Sequence, residues 1–242
     1  MKYSGVLISI FAVSILLFGC DTESLEKPID KAGNTSTETS KREEIKSQTP
    51  DSPYANVVTI DTNQENPTVR ARIDTGNGEL YVISEGKEAI GHVTIPSVLG
   101  KEGDFFYQSN YSVIYKHNED KKEIKELKKL QDLVFIQPSD QPISFEKISF
   151  DTIDVFLLTP EYTSSRGYNS YAFGIDKKSE DAFSITFKNA EKVQDSINYE
   201  KVSTPANKNE KLIVTTRNTE GQGDTLTTEY SFNKDSKQFV AE

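Results

Sequence analysis

The residues through which this chain could do acid–base chemistry are Asp151, Asp154 and Glu161, three carboxylates close together in the sequence. Glycoside hydrolysis uses two carboxylates about 5 to 9.5 Å apart, one as acid and the other as base or nucleophile. A hydrolase built on these residues therefore requires a cleft that brings two of the three together. Asp61-Thr62-Asn63-Gln64-Glu65-Asn66 sets oxygen side chains at alternate positions, as the start of a calcium loop does. The pattern then fails, because Asn66 stands where the loop needs Gly, Pro67 follows, and Arg72 takes the place of the bidentate acid. A polar turn is the better reading. Ser144-Phe145-Glu146-Lys147 has the spacing at which an amine one helical turn away assists a hydroxyl nucleophile. Pro142 and the strand-favouring Ile143, Phe145, Ile148 and Phe150 argue against the helix this needs. His92 and His117 belong to no cluster at metal-ligand spacing, and there is neither a Gly-rich phosphate loop nor a nucleophile elbow. The sequence thus predicts no catalytic residue, no metal and no cofactor, and favours a protein without enzymatic activity.

Aromatic side chains give the other candidate surface. Phe105, Phe106, Tyr107, Tyr111 and Tyr115 crowd one segment, and Tyr162, Tyr168 and Tyr171 flank Thr163-Ser164-Ser165-Arg166-Gly167. Rings supply contact area and hydroxyls supply hydrogen bonds, so an exposed patch of Tyr162, Arg166 and Tyr168 would suit a sugar or peptide. Core packing and cross-strand pairing use the same rings, and most of these aromatics are expected to serve there.

The first residues supply an address. Lys2 gives a positive start, Val6 to Phe18 form an apolar stretch interrupted only by Ser9 and Ser14, and Gly19 precedes Cys20, the only cysteine. This is the layout of a cleaved secretory signal, too short for a membrane-spanning helix of roughly 18 to 20 residues. Leu17-Phe18-Gly19-Cys20 resembles the lipobox of bacterial lipoproteins. The resemblance implies a diacylglyceryl thioether on Cys20, cleavage before it, and further acylation such as palmitate. It also implies attachment to the lipid bilayer at the extracytoplasmic face of the cell membrane. Two acyl chains hold a protein stably at ~0.8 kcal/mol per buried methylene. A lone cysteine also excludes a disulfide framework.

From Asp21 to about Ala55 the chain is Ser, Thr, Glu, Lys and Pro with Leu25, Ile29 and Ile45 as its only large aliphatics. Such a segment cannot offset its ordering entropy by burial and reads as a disordered linker. A flexible spacer of about 35 residues holds its domain roughly 30 to 35 Å from the anchor on average. The expected organisation is signal peptide 1–19, lipidated Cys20 and linker 20–55, and a single domain 56–242. Of the net charge of −10, residues 1–19 carry +1 and residues 21–55 carry −3, which leaves −8 on the domain. That balance disfavours nucleic acid as a partner.

Period-two alternation dominates the domain. Tyr171, Phe173 and Ile175 share one face, as do Phe183, Ile185 and Phe187, and the polar Asp176 to Asp181 between them reads as a hairpin loop. Lys211 to Arg217 and Leu226 to Phe232 form a second such pair around Gly221 to Asp224. Further strands are expected at Val57–Ile60, Val69–Ile73, Glu79–Ser84, Ala89–Ile95, Asp104–Gln108, Tyr111–Lys116, Leu133–Ile136, Ile153–Leu158 and Gln238–Ala241. Val155-Phe156-Leu157-Leu158 is apolar on both faces, as a doubly covered strand requires. Ile124, Leu127 and Leu130 recur at helical spacing, which predicts a helix over Glu119–Gln131, with a second, shorter one over Ala190–Ile197. The fold class is mainly β: antiparallel sheets forming a sandwich, an open barrel or a propeller-like array, with one or two short helices. The function class that follows is a membrane-anchored lipoprotein of the cell envelope, a non-enzymatic module binding an envelope protein, peptide or glycan. An envelope hydrolase is the alternative. A transporter's solute-binding subunit ranks last, since that role needs two α/β lobes.

Overall fold

Alternation of buried and exposed side chains shapes nearly every element, and the described residues form fifteen strands and no helix. The computed structural model describes residues 53–61, 67–94, 100–118, 124–162, 167–217 and 224–242. These lie within the compact unit Ser40–Glu242. The signal segment, Cys20, the linker up to residue 52, the polar turn after Asp61, and Arg166 lie outside the described residues.

The first sheet holds β1 (Tyr54–Asp61), β2 (Val69–Asp74), β3 (Gly78–Val93), β4 (Phe105–His117) and β5 (Lys125–Gln137) in the order β1-β3-β4-β5. β2 pairs with the first half of β3 and β1 with the second, on the same edge. Two expected strands become one here, because the chain does not stop between Ser84 and Ala89 but bulges and bends. Gly86, at φ 75°, supplies the left-handed residue of the bend. β4 likewise runs unbroken through Ser109 and Asn110.

Glu88 points into the sheet's inner face at this bend and is fully buried. Its carboxylate accepts Arg70 Nε at 2.8 Å, Arg70 Nη2 at 2.6 Å, the Thr68 hydroxyl at 2.7 Å and the Tyr111 hydroxyl at 2.7 Å. The Arg70 guanidinium in turn lies 3.5 Å from the Tyr107 ring centre. Every strong donor and acceptor of the group is satisfied, which is the condition under which a buried ion pair is tolerated. Burial, together with the Glu88 charge and hydrogen bond, pushes the Tyr111 hydroxyl far above the ordinary phenol range.

The expected helix over Glu119–Gln131 is corrected by β5, which occupies Lys125–Gln137. Its apolar side chains sit at helical spacing for a different reason. β5 carries one extra residue at Leu127, between the partners of Ile114 and Val113, and another between the partners of Tyr111 and Ser109. A strand repeat of two plus one bulged residue is three, so Leu127, Leu130 and Leu133 all reach the same core. Asp132, at φ 48°, is part of the second bulge.

The second sheet curls into a nearly closed barrel. Its path is β12 (Ala206–Lys208), β13 (Lys211–Arg217), β14 (Thr225–Asn233), β15 (Gln238–Ala241), β9 (Ala182–Asn189), β8 (Tyr168–Asp176), β7 (Ile153–Leu158) and β6 (Glu146–Ser149). β15 and β9 run parallel and all other pairs antiparallel. The seam between β12 and β6 is joined by side chains: Asn207 Nδ2 donates to the Ser149 carbonyl at 2.8 Å, and the Asp151 N–H donates to Glu210 at 2.9 Å. The expected helix over Ala190–Ile197 is also corrected. A two-residue turn at Ala190-Glu191 sends β10 (Lys192–Gln194) back along β9, and β11 (Ser196–Tyr199) then crosses to pair with the start of β8. Ala190 adopts φ 49°, the tight turn of a hairpin rather than a helix start.

The barrel is filled. Ile153, Val155 and Leu157 of β7 meet Ile185, Phe187, Leu212 and Phe239 inside it. Gly174 leaves room for the Phe183 ring, whose atoms would lie 2.4 Å from a β-carbon there. The other face of the same wall, Phe156, Leu158, Phe173 and Ile175, packs against Leu80, Val82, Tyr111 and Phe135 of the first sheet. A carboxylate fixes the β8–β9 loop: Asp176 accepts the N–H groups of Lys178 and Ser179 at 2.9 Å each and pairs with Lys234 at 2.8 Å.

Glu88→Gln should destabilise the fold by about 3 to 5 kcal/mol in denaturant unfolding, because it strands the buried Arg70 charge. A loss under about 1 kcal/mol would show that the network contributes little. Lys234 and the two N–H groups hold the Asp176 carboxyl below its ordinary range. A lowered folded pKa means that this stabilisation is full above roughly pH 4 and disappears as pH falls towards the folded value. Melting temperature should therefore drop below about pH 4, and less steeply in Asp176→Asn.

Candidate functional site

The barrel is closed by side chains at one end and open at the other. Along β13 the lumen-facing positions are Leu212, Val214 and Thr216, opposite Tyr230, Thr228 and Leu226 of β14. Leu212, Val214 and Tyr230 are buried in the barrel core. Towards Thr216 and Leu226 the lumen widens into a cavity of about 610 Å³ with Gln194, Ile197 and Tyr199 on its far wall. That volume lies in the range of about 300 to 1,000 Å³ typical of ligand sites. The end of β11 is tied to β13 by the Glu200 N–H, which donates to the Thr215 carbonyl at 2.7 Å. Beside it Glu200 pairs with Arg217 at 3.2 Å. A neighbouring cavity of about 430 Å³ shares Asn189, Leu226 and Thr228 and extends the groove along β14. Leu226 is 58% exposed although it is a lumen-side residue. The lining of the larger cavity combines hydroxyls, carboxamides and aromatic edges with the Glu200–Arg217 pair.

A smaller cleft of about 130 Å³ lies on the outer side of β11. Past β7 the chain runs beside β5, where the Ile136 N–H donates to the Pro160 carbonyl at 3.1 Å and Ile136 bridges to Glu161. Asn169 and Asn198 are register partners across β8 and β11 and face this cleft together with Tyr171. Leu133 and Pro160 supply its apolar walls. Gly167, at φ 88°, completes it and admits no other residue, since a β-carbon would lie 2.5 Å from the Tyr199 carbonyl oxygen. Burial pushes the Glu161 carboxyl above its ordinary value. Burial and the charges of Asp195 and Glu161 raise the Tyr171 hydroxyl as well.

Tyr162 and Tyr168, the described members of the aromatic patch expected from the sequence, are half-buried and make contacts of their own. The Tyr162 hydroxyl donates to Asp104 at 2.6 Å and its ring joins the small core around Phe106. Tyr168 packs edge-on to Tyr199, 5.6 Å between centres, against the barrel core. Arg166 lies outside the described residues. Among the described residues the exposed large apolar side chains are Ile124, Val193, Val202 and Leu226, none aromatic.

Glu161 is not brought together with Asp154. Asp154 sits between Lys147 at 2.7 Å and Lys177 at 3.3 Å. Although burial opposes it, these lysines and Ser149 hold its carboxyl below the usual range. Glu161 lies beyond the opposite end of β7, and the strand from Asp154 to Leu158 alone advances about 13 Å, more than glycoside chemistry allows. Asp151 is at the barrel seam. Ser144 and Lys147 are also separate, since the Ser144 hydroxyl donates to the Phe145 carbonyl at 3.2 Å while Lys147 is held by Asp154. His92 contacts the Gly103 carbonyl at 3.2 Å, and His117 contacts Glu180 at 2.7 Å. Among the described residues no group of three or more His, Cys, Asp or Glu could hold a metal ion, and no helix is long and apolar enough to cross a membrane.

Sequence reasoning missed the barrel mouth. Its signal was the row of threonines where β13 and β14 leave the core, but only closure of the barrel turns such a row into a lumen. Compared with known proteins, the chain matches no family model, no curated protein and no solved structure.

Proposed function

We propose that this protein is a lipoprotein of the bacterial cell envelope, anchored through diacylglyceryl Cys20, whose β body is a non-enzymatic binding module with the barrel mouth as its contact surface. The anchor rests on Lys2, the apolar stretch to Phe18 and Leu17-Phe18-Gly19-Cys20. The binding reading rests on the open lumen of about 610 Å³, lined by hydroxyl and carboxamide groups, the paired Glu200 and Arg217, and the exposed Leu226. An extended peptide or glycan strand fits it, because hydroxyl and carboxamide groups pair with such ligands without a net charge. Glu161 and Asp154 stand at opposite ends of β7, farther apart than glycoside chemistry uses, which weighs against a hydrolase built on that pair.

Fractionation of cells expressing the full chain tests the anchor. Wild type should sediment with membranes and incorporate labelled palmitate, whereas Cys20→Ala should do neither. An unlabelled wild type, or a membrane-bound Cys20→Ala, would sink the assignment. The mouth is tested by pull-down of isolated envelope peptides and glycans, where Leu226→Asp should lower specific retention about tenfold. Retention that Leu226→Asp leaves unchanged would place binding elsewhere.

A further inference from the structure

Glu161 and Glu146 are the described carboxylates that burial alone raises above their ordinary value, and Glu161 lines a cleft. Glu88 has Arg70, Asp154 has Lys147 and Lys177, and Asp176 has Lys234. Among the described residues the Glu161 side chain has no hydrogen bond and no ion pair, and burial alone accounts for its raised pKa. The other polar side chains of its cleft, Asn169, Asn198 and the Tyr171 hydroxyl, likewise make no hydrogen bond among the described residues. Glu161 and Tyr171 are half-buried while Asn169 and Asn198 are exposed, so the cleft presents four polar groups to solvent with an anion partly removed from water at its base.

We propose that this cleft is a binding site for a primary ammonium group, the side-chain end of a lysine presented by a peptide partner. The acceptors match the ligand: Glu161, Asn169 and Asn198 each offer a side-chain oxygen to the three N–H donors of an ammonium. Charge matches too. The Asp195 carboxylate acts on Tyr171 together with Glu161, although Asp195 is exposed and paired with the largely buried Lys128 at 3.0 Å. Size fits as well. A cavity of about 150 Å³ holds benzene, six heavy atoms, so the 130 Å³ here is enough for the four carbons and nitrogen of a lysine end. Leu133 and Pro160 line the path of the methylenes. The site adjoins the barrel mouth across β11, whose Asn198 borders both cavities.

The test is an NMR titration of the full-length chain with three probes. Nα-acetyl-lysine N-methylamide should bind saturably and shift the signals of Gly167, Asn169 and Asn198. Nα-acetyl-norleucine N-methylamide, which lacks the ammonium, should bind at least about tenfold more weakly. Glucosamine should leave these signals unmoved. Glu161→Gln should weaken the lysine probe by the same factor and also raise the melting temperature, since it removes an unpaired carboxylate. Because burial raises the Glu161 pKa, wild-type binding should fade as pH drops through that value, while Glu161→Gln stays flat. Absence of saturable binding, equal binding of the norleucine probe, an unchanged affinity in Glu161→Gln, or a lowered melting temperature in that variant would each overturn the proposal. Tighter binding of glucosamine would overturn the peptide source. Leu226→Asp should leave lysine-probe affinity unchanged, so this proposal and the barrel-mouth reading fail separately.

Discussion

Burial of β7 and β8 on both faces is the constraint on which the rest of the structure depends. Ile153, Val155 and Leu157 fill the barrel, while Phe156 and Leu158, between them in sequence, belong to the core shared with the first sheet. Phe173 and Ala172 of β8 divide in the same way. A wall covered on both sides can contain hardly any polar side chains, and burying each large apolar one is worth about 1.5 to 3 kcal/mol. Neither layer can be removed without exposing residues that the other has no means to cover. The geometry of the sites follows from where this wall ends. At the start of β8, β11 replaces β9 as its neighbour, so that one side of β11 looks into the barrel mouth and the other onto the Glu161 cleft.

Polar groups at the margins of the two cores do the positioning. Glu88 at the bend of β3, Asp176 at the β8–β9 loop, and Asn207 with Glu210 at the barrel seam each satisfy backbone or side-chain donors that the fold would otherwise leave unpaired. Glu180, at φ 62° in the β8–β9 loop, reaches across to the first sheet, accepting Asn77 Nδ2 at 2.8 Å and contacting His117 at 2.7 Å. Against this background of satisfied carboxylates, Glu161 is an exception, and exceptions to local consistency are where function is to be sought.

The fold class was legible in the sequence because period two is a local property. Tyr171, Phe173 and Ile175 share a face as their spacing says, and Val155-Phe156-Leu157-Leu158 reads as doubly buried and is. What misled was the bulge. Ile124, Leu127 and Leu130 repeat every third residue, as on a helix, but Ile124 is exposed and β5 carries two inserted residues that put Leu127, Leu130 and Leu133 on one core. β10 and β11 were obscured by their shortness and by the exposure of Lys192 to Gln194 on every side. The site was less legible still. Tyr162 and Tyr168 drew attention as tyrosines, yet partners distant in sequence, Asp104 and Tyr199, put them to structural use. Glu161 was visible as a carboxylate, but not as one without a partner among the described residues, because pairing is decided by tertiary neighbours.

Both sheets fold as one body around the shared β7–β8 wall, which fixes the cleft and the barrel mouth. Native-state hydrogen exchange tests this directly, since it reports which amides open together. The slowest amides should be those of β7 and β8, and the cores of β3, β4 and β9 should exchange with the same free energy and denaturant dependence. If the first sheet opened as a separate unit while the barrel remained protected, the shared wall would not be what holds the protein together.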